Sequence, residues 1–479
     1  MPNKPGNASS QRSHGSAQVL EVDLAFLGGG VGGYTGAIRA RQRGASAVVV
    51  EHSDLGGTCT NRGCMPAKAL IHCAQVARQV RRAKEFGIKV GSPEVEWPGV
   101  VRHVQGTVKR LRKGVEFLLA QNGVQVVRGR GHLADARTIE VENEDGAAVV
   151  RARKIVISTG SEPATIPIPG AIEHTITTDD IYTIEALPRR FAVIGGGFIG
   201  CETAYAMADL GSQVTILEMT DHILPNVDAD MAEELARALK RMGIKIKAPA
   251  QVTAVEARNG AKVVKYSDAS GEGESEADLV LLAVGRRAVV AGSRVPEIGV
   301  EIERGRIVVN ERMETAVEGV YAAGDVIGEP MLAHAASAEA KIAVTNALGG
   351  DARLDLRAMP FCVYTWPELA SVGLTETQAR AAGLDVRVGT FPFRAVGKAV
   401  AIGERDGLVK VLVSDDQLIG AHIVGPEATD LIAEAAAGIW ARTPVEVFAQ
   451  GIRAHPTLAE AIVEAVEDAL GHPLHKTRG

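Results

Sequence analysis

Apolar and polar positions first fall into a regular order at Glu21. The apolar run VDLAFL leads into the glycine turn GGGVGG. An amphipathic stretch, YTGAIRARQRG, follows, and ASAVVVE ends a second apolar run on an acid. Short apolar runs bounded by glycine predict buried strands, and the stretch between them has the length and spacing of a helix. The same order recurs in FAVIGGGFIGCETAYAMADLGSQVTILEMTD. Between the copies lies a charged helical stretch, and strands then run through ARKIVISTG to Thr159 and Gly160. A further strand-glycine element, GVYAAGDV, contains Asp325. Beyond about Leu354 the texture changes to strands such as GLVKVLVSD and LIGAHIVG followed by alanine-rich helices, which predicts a separate α+β domain.

The repeated unit carries chemistry. Gly28, Gly30 and Gly33 form G-x-G-x-x-G, as do Gly195, Gly197 and Gly200; Glu51 and Glu218 each stand 23 positions after the first glycine. In such a unit the first glycine makes a tight turn. The second lets backbone approach a pyrophosphate, and the third lets helix pack on strand. The helix N-terminus faces the phosphates and the acid accepts a ribose hydroxyl. One glycine triplet is weak, but two in full β-α-β context predict two bound dinucleotides in an α/β chain.

Composition narrows the class. The 479 residues suffice for about three domains. A net charge of −6 attracts neither nucleic acid nor an anionic membrane, and the basic helical stretch has interspersed acids and no aromatics. No apolar run reaches the roughly 18 residues a spanning helix needs. The first twenty residues are Ser-rich and acid-free without an apolar core, which predicts a disordered tail over 1–19, with an organellar transit peptide as the alternative. Five cysteines point to a reducing compartment, the cytoplasm, or the mitochondrial matrix on the transit-peptide reading.

Two of those five, Cys59 and Cys64, stand close together in GGTCTNRGCMPAKAL. On one ideal helix their Cα atoms would lie about 8–9 Å apart. A disulfide needs less than about 7 Å, so the intervening TNRG must bend, with Gly63 as the pliable point. So short a loop gains little from cross-linking, whereas a reversible redox pair has a clear use. Zinc would need further ligands, and Cys73, Cys201 and Cys362 are scattered, so no metal site is expected.

These motifs, in this order, resemble the flavin-dependent pyridine-nucleotide disulfide oxidoreductases from about Val22 to Leu470: fingerprint, C-x4-C, STG, second fingerprint, AAGDV, PMLAH and HPTLAE. The resemblance implies two Rossmann-like domains and a C-terminal α+β dimerisation domain. FAD would occupy residues 20–160 and 286–353, NAD 161–285, and the dimer contacts 354–479. It implies that Cys59 exchanges with substrate and Cys64 faces the flavin. Lys68 would stand by the ring and pair with Glu202. Gly57, Thr58, Gly131, Thr159, Gly160, Asp325, Met331, Leu332 and Ala333 would serve FAD, as Val252 and Gly285 would serve the NAD side. His455 and Glu460 would be an acid-base dyad reaching the partner subunit's disulfide.

Within the family, the similarity points to members that reoxidise protein-bound dihydrolipoamide and reduce NAD+. The implied partners are a second copy and the lipoyl domains of 2-oxo-acid dehydrogenase E2 or glycine-cleavage H protein. The alternatives are an NADH-dependent reductase of another small disulfide, or a non-catalytic scaffold subunit. Glu218 would repel the 2′-phosphate of NADP. The residues alone support plainer readings of Lys68 as a surface lysine at a helix start and of Glu202 as an early-helix carboxylate on the dipole. Thr457–Glu460 also fits a helix-capping box. Two departures from the family pattern are RAVVAG after Arg286 and Trp366, near the expected interface.

Overall fold

The computed structural model describes residues 18–143 and 146–476; most of the tail expected over 1–19 lies outside them. The first strand, Gln18–Leu27, starts inside that expected tail because Gln18 and Val19 pair with Ala148 and Val149. The chain forms two compact units. Among the described residues, one comprises 18–57, 114–160 and 288–354; the other comprises 58–113, 161–287 and 355–476. The boundaries expected at 160, 285 and 353 keep Thr58–Lys113 with the first domain. That segment instead packs in the second unit, where Ala69, Leu70, Ile71, Ala74 and Trp97 share a core with Cys201, Tyr205 and Leu210.

In the first unit the strands Gln125–Arg128, Ala47–Glu51, Gln18–Leu27, Gly146–Ile157 and Val320–Ala322 pair in parallel, and two antiparallel strands extend the sheet. Parallel strands covered on both faces need a near-continuous apolar run, as AVVV of Ala47–Glu51 shows, and the closing acid is buried with it. Helix Val31–Gln42 covers this sheet with Ala37 and Ala40 against Phe26 and Val49.

The second unit holds the other fingerprint on a four-stranded parallel sheet, Lys245–Lys247, Gln213–Leu217, Arg190–Ile194 and Leu279–Leu282. It also contains the five-stranded antiparallel sheet of the C-terminal α+β region, covered by helices Ala428–Ala441 and Glu460–Ala469. Among the described residues, no helix is long and apolar enough to cross a membrane, and no group of three or more His, Cys, Asp or Glu is placed to hold a metal ion.

Candidate active site

Both glycine turns have the backbone a dinucleotide requires. Gly28 and Gly195 adopt φ of +112° and +105°, and a Cβ on either would strike the carbonyl just past the end of the neighbouring strand, that of Ser158 at 2.2 Å or of Ala283 at 2.4 Å. A Cβ on Gly33 would lie 1.8 Å from the Gly28 carbonyl, and one on Gly200 2.0 Å from that of Gly195. Only glycine lets the helix sit this close. Gly30 and Gly197 begin the helices without a side-chain cap, leaving N–H groups for an anion. The space around them would suit a pyrophosphate: nothing lies within 4 Å of a Cβ on Gly197.

The acids have a second task that the spacing did not reveal. Glu51 accepts the Gly29 peptide hydrogen at 2.7 Å and Glu218 accepts that of Gly196 at 2.6 Å. Their other oxygens take the N–H of Ser53 and Thr220. Each carboxylate therefore ties its strand end to the glycine turn, with lone pairs left for a ribose.

Other expected cofactor residues fall on turns. Gly57, at φ +59°, approaches so near Gly30 that a Cβ would lie 2.6 Å from its Cα. Thr159 donates to the Val289 carbonyl at 2.6 Å, and Gly160 accepts from Val289 at 2.9 Å. Gly324 turns the chain before Asp325, giving its N–H to buried Glu339 at 2.7 Å. Met331 and Leu332 lead into helix Ala333–Ala347. Gly131 has Val50 and Leu27 where a side chain would go, a packing position within the sheet. In the second unit, Val252 lies at an irregularity of strand Gln251–Arg258 and Gly285 takes φ +112°. The departure after Arg286 forms a short strand, with Arg286 donating to Ser161 Oγ at 2.7 Å.

The cysteines lie on two helices rather than one. Helix Gly57–Asn61 carries Cys59 and ends where Arg62 and Gly63 both donate to the Thr58 carbonyl, at 2.9 and 2.7 Å. Cys64 opens helix Cys64–Arg82. The expected bend is there, although Gly63 makes it at φ −118° and not in the left-handed region. Both cysteines are thiols. The hydrogen bond from Cys59 holds Cys64 below the usual thiol range; burial opposes it, Lys68 assists and Glu202 opposes. The helix N-terminus further favours a thiolate there.

Lys68 is one turn along from Cys64. Its Nζ lies 3.0 and 3.1 Å from the two oxygens of Glu202, which is buried on helix Phe198–Leu210. The plainer readings of both residues therefore give way to a part-buried ion pair. Tyr364, which carries no motif signal, completes the group. Its ring lies under Lys68 at 4.0 Å and its N–H donates to Glu202 at 3.0 Å. Trp366 packs on the same core beneath Arg78.

His455 and Glu460 are also together, with Nδ1 to Oε1 at 2.8 Å. The other Glu460 oxygen accepts the Thr457 N–H at 2.8 Å. That is half a capping box only. The helix begins after Ala459, and the Thr457 hydroxyl turns away to the Ala454 carbonyl. The His455 ring, with the Thr457 N–H second, holds the Glu460 carboxyl below the usual range. The imidazole side chain is 79% exposed. Such an exposed imidazole, held by an ionised acid, can exchange protons with an incoming thiol.

Two dinucleotide cradles, a polarised cysteine pair and a His–Glu dyad define a redox enzyme of thiols. Residues 22–340 match the family model for pyridine nucleotide-disulphide oxidoreductases, and 359–466 match that family's dimerisation domain. The chain belongs to this family. It is 36% identical to a dihydrolipoyl dehydrogenase of Bacillus subtilis (strain 168) over 459 residues, covering 95% of this chain and all of the relative. It is 39% identical to one from Thermus scotoductus, covering 95% and 98%. Among solved structures it is similar to LpdA from Mycobacterium tuberculosis, with a TM-score of 0.86 at 28% identity over 94% of this chain and 99% of that one.

Proposed function

We propose that the chain catalyses the dihydrolipoyl dehydrogenase reaction, oxidising a dihydrolipoyl dithiol with reduction of NAD+. It is an FAD- and NAD-dependent oxidoreductase and, through its dimerisation domain, a homodimer. The observation that carries the reading is the hydrogen bond from Cys59 to Cys64 at a helix N-terminus, one turn before Lys68. Such a pair stabilises the sulfur that must leave as a thiolate.

In the oxidised protein, a substrate thiol gives its proton to His455 as its sulfur attacks Cys59. The Cys59–Cys64 bond breaks and Cys64 leaves as a thiolate, steadied by Lys68. Cys59 then takes up the proton held by His455 as the second substrate thiol, passing its own proton to His455, displaces it; the lipoyl disulfide forms and Cys59 is left as a thiol beside the Cys64 thiolate. FAD, when bound, carries the electron pair from the cysteines to NAD+. The Gly28–Gly33 turn, with Thr159, Gly160 and Asp325, would hold FAD, and the Gly195–Gly200 turn NAD. Glu460 keeps the His455 ring oriented. The macromolecular substrates are lipoyl domains of 2-oxo-acid dehydrogenase E2 or glycine-cleavage H protein, in the cytoplasm.

The test is NADH formation by the purified holoenzyme with dihydrolipoamide, set beside free lipoyl domains, glutathione and other small disulfides run in reverse. Rapid turnover of dihydrolipoamide is expected. Turnover of another disulfide with none of dihydrolipoamide, at full FAD content, overturns the substrate.

A further inference from the structure

Lys68 and Glu202 are 134 positions apart, yet a single residue touches both. The Tyr364 ring faces the Lys68 ammonium at 4.0 Å, while the Tyr364 peptide N–H donates to Glu202 at 3.0 Å. A lysine beside a carboxylate alone keeps several rotamers, and losing them opposes any fixed geometry. An aromatic face removes that freedom and attracts the cation. The ring remains neutral, since burial pushes the Tyr364 hydroxyl up to about 12, with Cys362, Glu202, Glu368 and Asp430 adding to the effect.

The position of the ammonium matters to sulfur. Lys68 makes the Cys64 thiol easier to ionise, pulling its pKa down, while Glu202 pushes it up. Among the described residues, Cys59, which donates to it, and Tyr182 also face Cys64; the Tyr182 hydroxyl stays neutral because burial, then Glu202 and Cys64, push it far up. Lys68 is therefore the cation among these groups, and its distance from sulfur sets the balance.

We propose that Tyr364 is a positioning residue for disulfide exchange, holding Lys68 and Glu202 as one unit so that the ammonium stays where it favours a Cys64 thiolate. The proposal rests on the reading of Cys64 as the leaving thiolate. Its test uses the holoenzyme carrying Cys59→Ser, in which Cys64 is the remaining thiol of the pair. The pH dependence of Cys64 alkylation by iodoacetamide, located by mass spectrometry, gives its midpoint. Tyr364→Leu should raise that midpoint by about one unit, the size expected when one nearby charge is released. Tyr364→Phe keeps both ring and peptide N–H and should restore it. In a Lys68→Met background, Tyr364→Leu should add no further shift. If the leucine variant does not retain FAD, Tyr364→Met serves in its place.

An unchanged midpoint in the folded leucine or methionine variant overturns the proposal. So does a phenylalanine variant shifted as far as leucine, or a full shift that persists without Lys68. If Cys64 in the Cys59→Ser parent titrates like a free thiol, the assignment of the leaving thiolate falls first, and the proposal with it.

Discussion

Glu218 accepts the Gly196 peptide hydrogen at 2.6 Å, so the residue expected to select the nucleotide also holds the turn that cradles it. The two roles separate on substitution. Glu218→Gln retains an acceptor for Gly196 and removes the charge that repels a 2′-phosphate. It should keep its fold and narrow the preference for NADH over NADPH by about 10-fold or more, roughly the effect of one misplaced charge. Glu218→Ala should lose affinity for both nucleotides because the turn is released as well. Steady-state kinetics with each nucleotide distinguish them, and equal rates with NADPH in the unchanged protein would sink the assignment.

The two sulfurs should differ in kind. With Cys64 as the sulfur held toward the thiolate, Cys59→Ser leaves a hydroxyl that can donate to it. That variant should show a long-wavelength charge-transfer band in the oxidised holoenzyme, where Cys64→Ser shows none. Absorption spectra across a pH series would check this. The reverse pattern means that the roles are exchanged.

What the sequence disclosed follows from what each feature demands. The glycine fingerprints were readable because Gly28 and Gly33 meet backbone that no other residue could approach, a constraint local to a few positions. The bend between Cys59 and Cys64 followed from covalent geometry. The Lys68–Glu202 pair needed the family resemblance, for nothing local to Lys68 distinguishes it from a surface lysine. Tyr364 and the Gly324–Glu339 bond depend on tertiary packing and carry no periodic signal. Thr457–Glu460 was legible in part: the carboxylate does reach the Thr457 N–H, but helix start and hydroxyl direction were settled by the loop around His455. Thr58–Lys113 packs with the second unit because its apolar face, Ala69 to Ala74, meets residues far along the chain.

Glu339 gives a pH signature. Burial raises its carboxyl to about 7, with the Gly324 N–H opposing and Asp325 adding. The folded value lies above the unfolded one, 4.5, so the native state binds the extra proton between them. Its stabilising contribution is full below the unfolded value and is lost as pH rises through the folded one. The loss amounts to about 3 kcal/mol at most, at 1.36 kcal/mol per unit. Glu339→Gln keeps an acceptor for Gly324 without the titration. Its Tm should therefore rise relative to the unchanged protein as pH goes from about 5 to 8. Parallel Tm curves would show that Glu339 does not titrate in this range.

The His455–Glu460 dyad makes the most exposed prediction. The principal neighbours of Glu460 are His455, Thr457 and His475, whereas those of Cys64 are Cys59, Lys68 and Glu202; the two clusters share no member. A proton acceptor must nevertheless come within hydrogen-bond reach of the thiol it serves. In a homodimer, the 79%-exposed imidazole of one chain is free to serve the cysteines of its partner. His455→Gln should then lower dithiol oxidation by about 100-fold or more, while FAD content and NADH oxidation by artificial acceptors persist. Glu460→Gln keeps an acceptor for Thr457 but loses the charge beside the ring. It should slow the same step and shift its pH profile, whereas a residue that only organised the helix start would do neither. Inactive Cys59→Ser and His455→Gln chains, mixed after mild unfolding, should recover partial activity, because each hybrid dimer holds one intact site. Native mass spectrometry would verify the exchange. Hybrids that form without any recovered activity would place the dyad's action within its own chain or remove it from catalysis.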